Sequence, residues 1–394
     1  MDPTWWIDAL RAPEGEALLE QLSGESLDRD AEVRLITRLR RANPAELIAA
    51  AITQARLRVR AREKFTHAAE MLFTQAGLEQ ASSERMAAAH AARFARFDLV
   101  ADLCTGIGGD LIGLANRTRA IGVDMDPVHA RLARVNAEVN GVAATAAVVC
   151  ADVTTLRLDG VGAAFVDPAR RSDDRRYRAG TSDPSLDWCF ALADRGVAVG
   201  IKAAPGLPED VVPEGWELEF VSERRELKES VLWSPALATA RRRATLLPDG
   251  LTLTEPAEGE SVRLAVKAPG RFLLDPDPAV TRAGLVETLG ARVGAEQGEV
   301  WKIDEQIAFL SADFPMETPF GRTLRIEASM PWNLGRLRES LRSLDVGSVD
   351  IRKRGSAVDV DEVQKKLKLT GSRAATVVLT RVGARPWMMV CFNP

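Results

Sequence analysis

The nine residues Asp102-Leu103-Cys104-Thr105-Gly106-Ile107-Gly108-Gly109-Asp110 put two acids and three glycines into one short stretch. They follow the apolar run Leu99-Val100-Ala101 and open a helical pattern at Leu111. A strand, a glycine turn and a helix in that order let backbone approach a ligand where side chains would collide, and aim helix N–H groups at negative charge. A nucleotide-like ligand is expected. The two common phosphate readings fail on single residues. A dinucleotide fingerprint starting at Gly106 wants glycine where Leu111 stands, and a phosphate loop wants a Gly-Lys-Ser/Thr run that this turn lacks. Three further acids close later apolar runs: Asp124 in Gly122-Val123-Asp124, Asp152 in Cys150-Ala151-Asp152, and Asp167 in Asp167-Pro168-Ala169-Arg170. Acids at successive strand ends converge on one crevice in an open α/β sheet. There Asp124 can accept hydrogen bonds from both hydroxyls of a ribose, and Asp152 can take an adenine amino group.

The spacing Asp-x-x-x-Gly-x-Gly, filled by Asp102, Gly106 and Gly108 and followed by Asp124, Asp152 and Asp167, resembles the class I S-adenosylmethionine-dependent methyltransferases over roughly Asp98 to Trp233. That resemblance implies a Rossmann-like sheet and S-adenosyl-L-methionine as cofactor. It also implies Asp102, Thr105, Gly106, Gly108, Asp124 and Asp152 as cofactor-binding residues. In related enzymes that methylate base amino groups, the fourth-strand motif is Asp/Asn-Pro-Pro-aromatic. Asp167 and Pro168 keep the first half, which makes them the catalytic candidates, by positioning an acceptor rather than by covalent chemistry. Ala169-Arg170 replaces the second half, and a guanidinium plane can stack on a base where the ring is missing. A plainer reading leaves Asp167-Pro168 only binding cofactor or ending a strand.

Next comes Arg170-Arg171-Ser172-Asp173-Asp174-Arg175-Arg176-Tyr177-Arg178, with five arginines and the chain's only tyrosine. Such a loop can grip phosphates, so Arg170 and Arg171 are substrate-binding candidates, with Lys202 at the end of the fifth strand. Equally, Asp173 and Asp174 can pair those arginines, and Lys202 can balance the acids. Four cysteines stand far apart without a CxxC pair, and Cys104 and Cys150 read as buried small hydrophobes. Cys391-Phe392-Asn393-Pro394 lies outside the catalytic sheet, and its likeness to a pyrimidine-methylating cysteine motif is taken as chance. His67, His90 and His129 show no metal-ligand spacing, so no metal site is expected.

The elements that must hold these residues fall into four segments. Residues 1–95 are rich in Ala, Leu, Arg and Glu, with apolar residues at helical steps such as Ile48, Ala51, Ile52 and Ala55. Residues 96–244 alternate short apolar runs with helical stretches, the pattern of a parallel α/β sheet buried on both faces. Residues 245–320 are dense in Pro and Gly and form a connecting α+β module in which Thr281–Leu289 reads as a helix. Residues 321–394 follow a βαβαββ order. The runs Val349–Gly355, Leu367–Gly371 and Ala375–Leu379 resemble the THUMP-like domain at the C-terminus of a bacterial branch of these methyltransferases.

Charge adds a partner. The net charge is −4, yet Arg322–Pro394 holds 14 Lys/Arg against 7 Asp/Glu, so this part is +7 and the remainder −11. A basic α+β module suits nucleic-acid phosphates, and the THUMP resemblance implies RNA. Two pairs at four-residue spacing, Asp361–Lys365 and Glu362–Lys366, are expected to brace its second helix. Met1–Trp6 lacks the basic start and apolar run of a signal peptide, and no apolar stretch approaches membrane-spanning length, so a cytoplasmic protein is expected. An S-adenosylmethionine-dependent methyltransferase acting on RNA is the reading these features favour. A class I methyltransferase of a protein or small molecule, with the C-terminal module as an interaction domain, stays open.

Overall fold

The computed structural model describes residues 2–24, 29–170, 182–256, 262–383 and 385–394. The chain forms two compact units, one of Met1–Glu217 with Ser230–Thr239 and one of Leu218–Glu229 with Ala240–Pro394.

The first unit begins with six helices: α1 (Trp5–Arg11), α2 (Pro13–Leu22), α3 (Arg29–Leu39), α4 (Ala45–Ala61), α5 (Gln75–Gln80) and α6 (Glu84–Ala92). Ile48, Ala51, Ile52 and Ala55 all fall on the buried side of α4, as their spacing requires. The sheet follows: β1 (Leu99–Leu103), α7 (Gly109–Ala115), β2 (Arg119–Asp124), α8 (Pro127–Val139), β3 (Ala146–Cys150) and β4 (Ala163–Val166). Then come β5 (Ala169–Arg170), β6 (Ser182–Asp183), α9 (Leu186–Asp194) and β7 (Ala198–Ala203); β8 (Glu217–Glu223) belongs to the second unit from Leu218 on, and β9 (Glu226–Trp233) returns to the first at Ser230.

Strands β3, β2, β1, β4 and β7 lie side by side in that order, all parallel. Ser230–Trp233 of β9 then runs antiparallel along β7. The sequence pattern does not announce β9, because its first half, Glu226-Leu227-Lys228-Glu229, is largely charged and only the second half is buried throughout. The chain lays β1, β2 and β3 outward in one direction and returns to place β4 on the other flank of β1. A crevice therefore opens beyond the carboxyl ends of β1 and β4, where Leu103 pairs with Val166. Phe94, Phe165 and Trp233 pack beneath it with ring centroids 5.7 to 6.2 Å apart.

One stretch of the helical region is not helical. Met71-Leu72-Phe73 is fully buried between α4 and α5, where each N–H and C=O needs a partner. Gln54 of α4 accepts from the Phe73 N–H at 2.9 Å and donates to its carbonyl at 2.7 Å. Asn136 of α8 treats Leu72 the same way, at 2.9 and 3.0 Å.

In the second unit, β8 from Leu218 onward pairs parallel with β10 (Arg242–Leu247), which pairs antiparallel with β11 (Leu251–Thr254). The remaining elements are β12 (Phe272–Pro276), α10 (Pro278–Arg282), α11 (Val286–Gln297), β13 (Trp301–Lys302), β14 (Leu310–Ala312), β15 (Gly321–Pro331), α12 (Leu334–Ser343), β16 (Val346–Lys353), α13 (Val360–Lys366), β17 (Arg373–Val382) and β18 (Arg385–Phe392). Seven of these strands form one sheet in the order β13-β14-β12-β15-β18-β17-β16. From β15 onward the order is the βαβαββ read from the sequence. The single helix expected over Thr281–Leu289 is instead two. Asp277 caps α10 before Pro278, so the first helix starts early, and Gly284 at φ +71° breaks it before α11 begins. Among the described residues no helix is long and apolar enough to cross a membrane.

Candidate active site

Asp102 sits near the carboxyl end of β1 and is buried. The Thr105 N–H donates to the Val123 carbonyl at 3.0 Å, tying the turn to β2, and the Thr105 hydroxyl donates to Asp102 Oδ2. The other oxygen, Asp102 Oδ1, is buried without a hydrogen-bond partner among the described residues. Burial, reinforced by the nearby Asp110 carboxylate, pushes the Asp102 carboxyl well above the ordinary range, against the opposing Thr105 hydrogen bond. Cys104, Gly106 and Gly108 all take left-handed backbone, at φ +64°, +55° and +91°. A Cβ at Gly106 would meet nothing within 4 Å, whereas one at Gly108 would come within 3.1 Å of Ala133 Cα. Gly108 is thus needed for packing on α8, while Gly106 faces open space beside an unsatisfied acid.

Asp124 ends β2 with both oxygens engaged: Oδ2 accepts from the Gly106 N–H at 2.8 Å and Oδ1 from the Asp126 N–H at 2.9 Å. A carboxylate oxygen accepts two bonds, so capacity for a diol remains. Beside it, Met125 is 70% exposed, a large apolar side chain without cover. The Ala151 N–H donates to the Asp124 carbonyl at 3.0 Å and brings the end of β3 alongside. Asp152 itself is exposed, and its Oδ1 caps the turn that follows, accepting from the Thr154 N–H at 2.9 Å and hydroxyl at 2.7 Å. Those bonds hold its carboxyl below the usual range.

Asp167 follows β4, and its N–H donates to the Leu103 carbonyl at 3.1 Å, so it stands beside the start of the glycine turn. Lys202 of β7 donates to Asp167 Oδ2 at 2.8 Å, to Ser82 Oγ at 3.2 Å and to the Gln80 carbonyl at 3.4 Å. Ser82 Oγ donates to Asp110 Oδ2 at 2.7 Å, and His90 Nδ1 lies 2.7 Å from Asp110 Oδ1. The His90 ring stacks on Phe165, two residues before Asp167, at 4.6 Å. His90 escaped the sequence reading as a site residue, Ser82 was indicated only by the family likeness of the Leu78–Glu84 stretch, and Asp110 closes the glycine-turn stretch itself. Nothing in the spacing of Ser82 and His90 points to a site, because the fold alone brings them to α7.

Structure therefore brings Asp102, Thr105, Gly106, Gly108 and Asp124 together around the turn, sets Asp152 at the exposed rim, and puts Lys202 against Asp167. The Arg170 side chain, Arg171 and the rest of the arginine loop with Tyr177 lie outside the described residues. Two cysteine expectations need correction. Cys150 is exposed on the outermost strand β3 and Cys104 is only half-buried. Burial, with Asp124 and Asp167 nearby, still pushes the Cys104 thiol far up, which keeps it a poor nucleophile. Cys391 is buried and its thiol is pushed up to about 12. Among the described residues no cluster of His, Cys, Asp and Glu is fit to hold a metal ion.

A family model described as RNA cap guanine-N2 methyltransferase matches residues 97–184, one described as THUMP domain-like matches 321–392, and a domain of unknown function matches 6–61. Two curated proteins of Mycobacterium tuberculosis, from strains CDC 1551 and H37Rv, are each described as an uncharacterized S-adenosylmethionine-dependent methyltransferase. Each is 38% identical to this chain over 326 residues, covering 80% of this chain and 86% of its own. A solved structure of a methyltransferase candidate from Porphyromonas gingivalis W83 shares the fold, with a TM-score of 0.73 at 21% identity over 89% of this chain and 92% of that one.

Proposed function

Since the chain belongs to the S-adenosylmethionine-dependent methyltransferases, we propose that it methylates RNA, on a base amino group held beside Asp167 and Pro168. One observation carries this reading: the segment holding the site matches the RNA cap guanine-N2 methyltransferase model, in a chain that also has a THUMP-like module. Charge in the second unit supports it. Arg336, Arg342, Lys353, Lys365, Lys368 and Arg385 are exposed and, among the described residues, form no ion pair. Of the two bracing pairs expected on α13, Glu362–Lys366 forms at 3.0 Å, which leaves Lys365 to solvent.

The cofactor-binding set is Asp102, Thr105, Gly106, Gly108, Asp124 and Asp152. Its fit to S-adenosylmethionine rests on the open space at Gly106 and on the unpartnered Asp102 oxygen, an acceptor suited to a cationic ligand. The cofactor supplies a methyl group on a sulfonium, ready for direct displacement. Asp124 receives the ribose, Met125 offers apolar cover to the adenine, and Asp152 at the rim is placed for its amino group. Asp167, with the Pro168 carbonyl, orients the acceptor, while Arg170 and Arg171 take neighbouring phosphates. In domain terms, residues 96–244 are catalytic, 1–95 helical, 245–320 connecting and 321–394 the RNA-binding module.

The test is transfer of labelled methyl groups by the full chain into total RNA from a strain deleted for the gene, run beside its protein and metabolite fractions. Label in RNA is expected. Label confined to protein or metabolites overturns the RNA reading.

A further inference from the structure

We propose that Lys202 is a positioning residue for methyl transfer, holding Asp167 toward the acceptor while a buried chain through Ser82, Asp110 and His90 holds Lys202 in turn. The inference rests on the assignment of Asp167 to the acceptor side.

Hydrogen-bond chemistry sets the direction of each link once Asp110 is held as a carboxylate. An ammonium only donates, so Ser82 Oγ must accept from Lys202 at 3.2 Å. The single serine proton is then left for Asp110 Oδ2 at 2.7 Å. His90, Lys202 and Ser82 together hold Asp110 in the carboxylate form, so its second oxygen also accepts and His90 Nδ1 carries the proton between them. His90 thus donates to Asp110, Ser82 donates to Asp110, and Lys202 donates to both Ser82 and Asp167.

Both ends of the chain are anchored. The His90 ring is pinned against Phe165 of β4, and Lys202 also donates to the Gln80 carbonyl. Burial alone would raise the Asp110 carboxyl, but the pull of His90, Lys202 and Ser82 outweighs it and holds the group low. Three acids, Asp102, Asp110 and Asp167, bear on this small volume, and Lys202 attracts the first two and bonds the third. Without the ammonium, the Asp167 carboxylate would lose the donor that orients it. Because Gln80, Ser82 and His90 come from the α5–α6 corner, the helical segment is a working part of the acceptor site.

The experiment compares full-length wild type with Lys202→Met, Lys202→Arg and Ser82→Ala, with Ser82→Ala as the milder change should Lys202→Met fail to fold. The chain has only three histidines, so selective imidazole labelling resolves His90 by NMR. Both Lys202→Met and Ser82→Ala are expected to shift the His90 Nδ1–H resonance, since each removes a group that bears on Asp110, the partner of His90. In turnover, Lys202→Met is expected to lower kcat by about tenfold or more, with cofactor affinity changed less than about threefold and a partial return in Lys202→Arg, as lost orientation requires. An unmoved His90 resonance in both variants, or an unchanged kcat in a folded Lys202→Met, overturns the proposal. A wild type that labels no RNA would instead sink the RNA reading, and the NMR comparison would still test the chain.

Discussion

Asn136 donates to the Ile107 carbonyl at 2.9 Å from the last turn of α8, while the same side chain holds both main-chain groups of Leu72. One buried carboxamide therefore links the inner wall of the helical region to the glycine turn. Asn136→Leu leaves three buried main-chain groups without partners, and each such loss costs about 1–3 kcal/mol. The variant is expected to lose at least about 2 kcal/mol in urea unfolding, and its cofactor affinity should fall with it because Ile107 lies between Gly106 and Gly108. Full stability in Asn136→Leu would show that the link is dispensable.

Asp124 makes a second test. Both its oxygens shape the turn, and each keeps a lone pair for the expected diol, so Asp124→Ala should abolish S-adenosylmethionine binding by calorimetry. Asp124→Asn keeps one acceptor and one shape, and should weaken binding by about tenfold, the worth of one charged hydrogen bond of about 1.5 kcal/mol. Unchanged affinity in Asp124→Ala would remove the ribose assignment.

Asp102 should make cofactor affinity depend on pH. Its carboxyl is raised by burial and by Asp110, so the free protein favours the neutral acid. A cationic ligand favours the carboxylate, so binding should strengthen as pH rises toward and through the raised value, with release of a proton. Calorimetry in buffers of different ionisation enthalpy reads that proton directly, and Asp102→Asn should abolish it. Stability of the free protein runs the other way for this group. Its contribution is complete below the unfolded value near 3.8 and is lost as pH rises through the folded one.

If RNA lies along the second unit, affinity should fall steeply with salt through counterion release. Lys353→Ala and Lys365→Ala should each reduce the slope of log K against log salt by about one. A slope indifferent to both would move the contact away from β16 and α13.

Much of this was legible in the chain because it depends on local pattern. The acids Asp102, Asp124, Asp152 and Asp167 could be read at or just past strand ends since buried parallel strands are short apolar runs that a polar residue closes. Gly106 and Gly108 were legible for the same reason, as left-handed backbone favours a residue type that sequence displays. His90 was not, and Ser82 was indicated only through the family likeness of Leu78–Glu84. They acquire roles only when α6 packs on α7, and a serine and a histidine with no periodic partner look like any capping residue or solvated ring. Strand β9 was hidden by its charged first half, and the break at Gly284 by helix-favouring residues on both sides.

The stacking of His90 on Phe165 has a consequence for how this protein can be cut and recombined. A boundary drawn at residue 95 follows the change in sequence pattern, yet it separates Gln80, Ser82 and His90 from the residues they serve. A fragment beginning at Asp98, or a hybrid that carries the sheet beneath a foreign helical segment, would leave Asp110 buried without its two donors and Lys202 without two of its acceptors. The first hundred residues and the sheet are thus constrained to be inherited together, whereas a substitution on the exposed face of α12 or α13 is free of that bond.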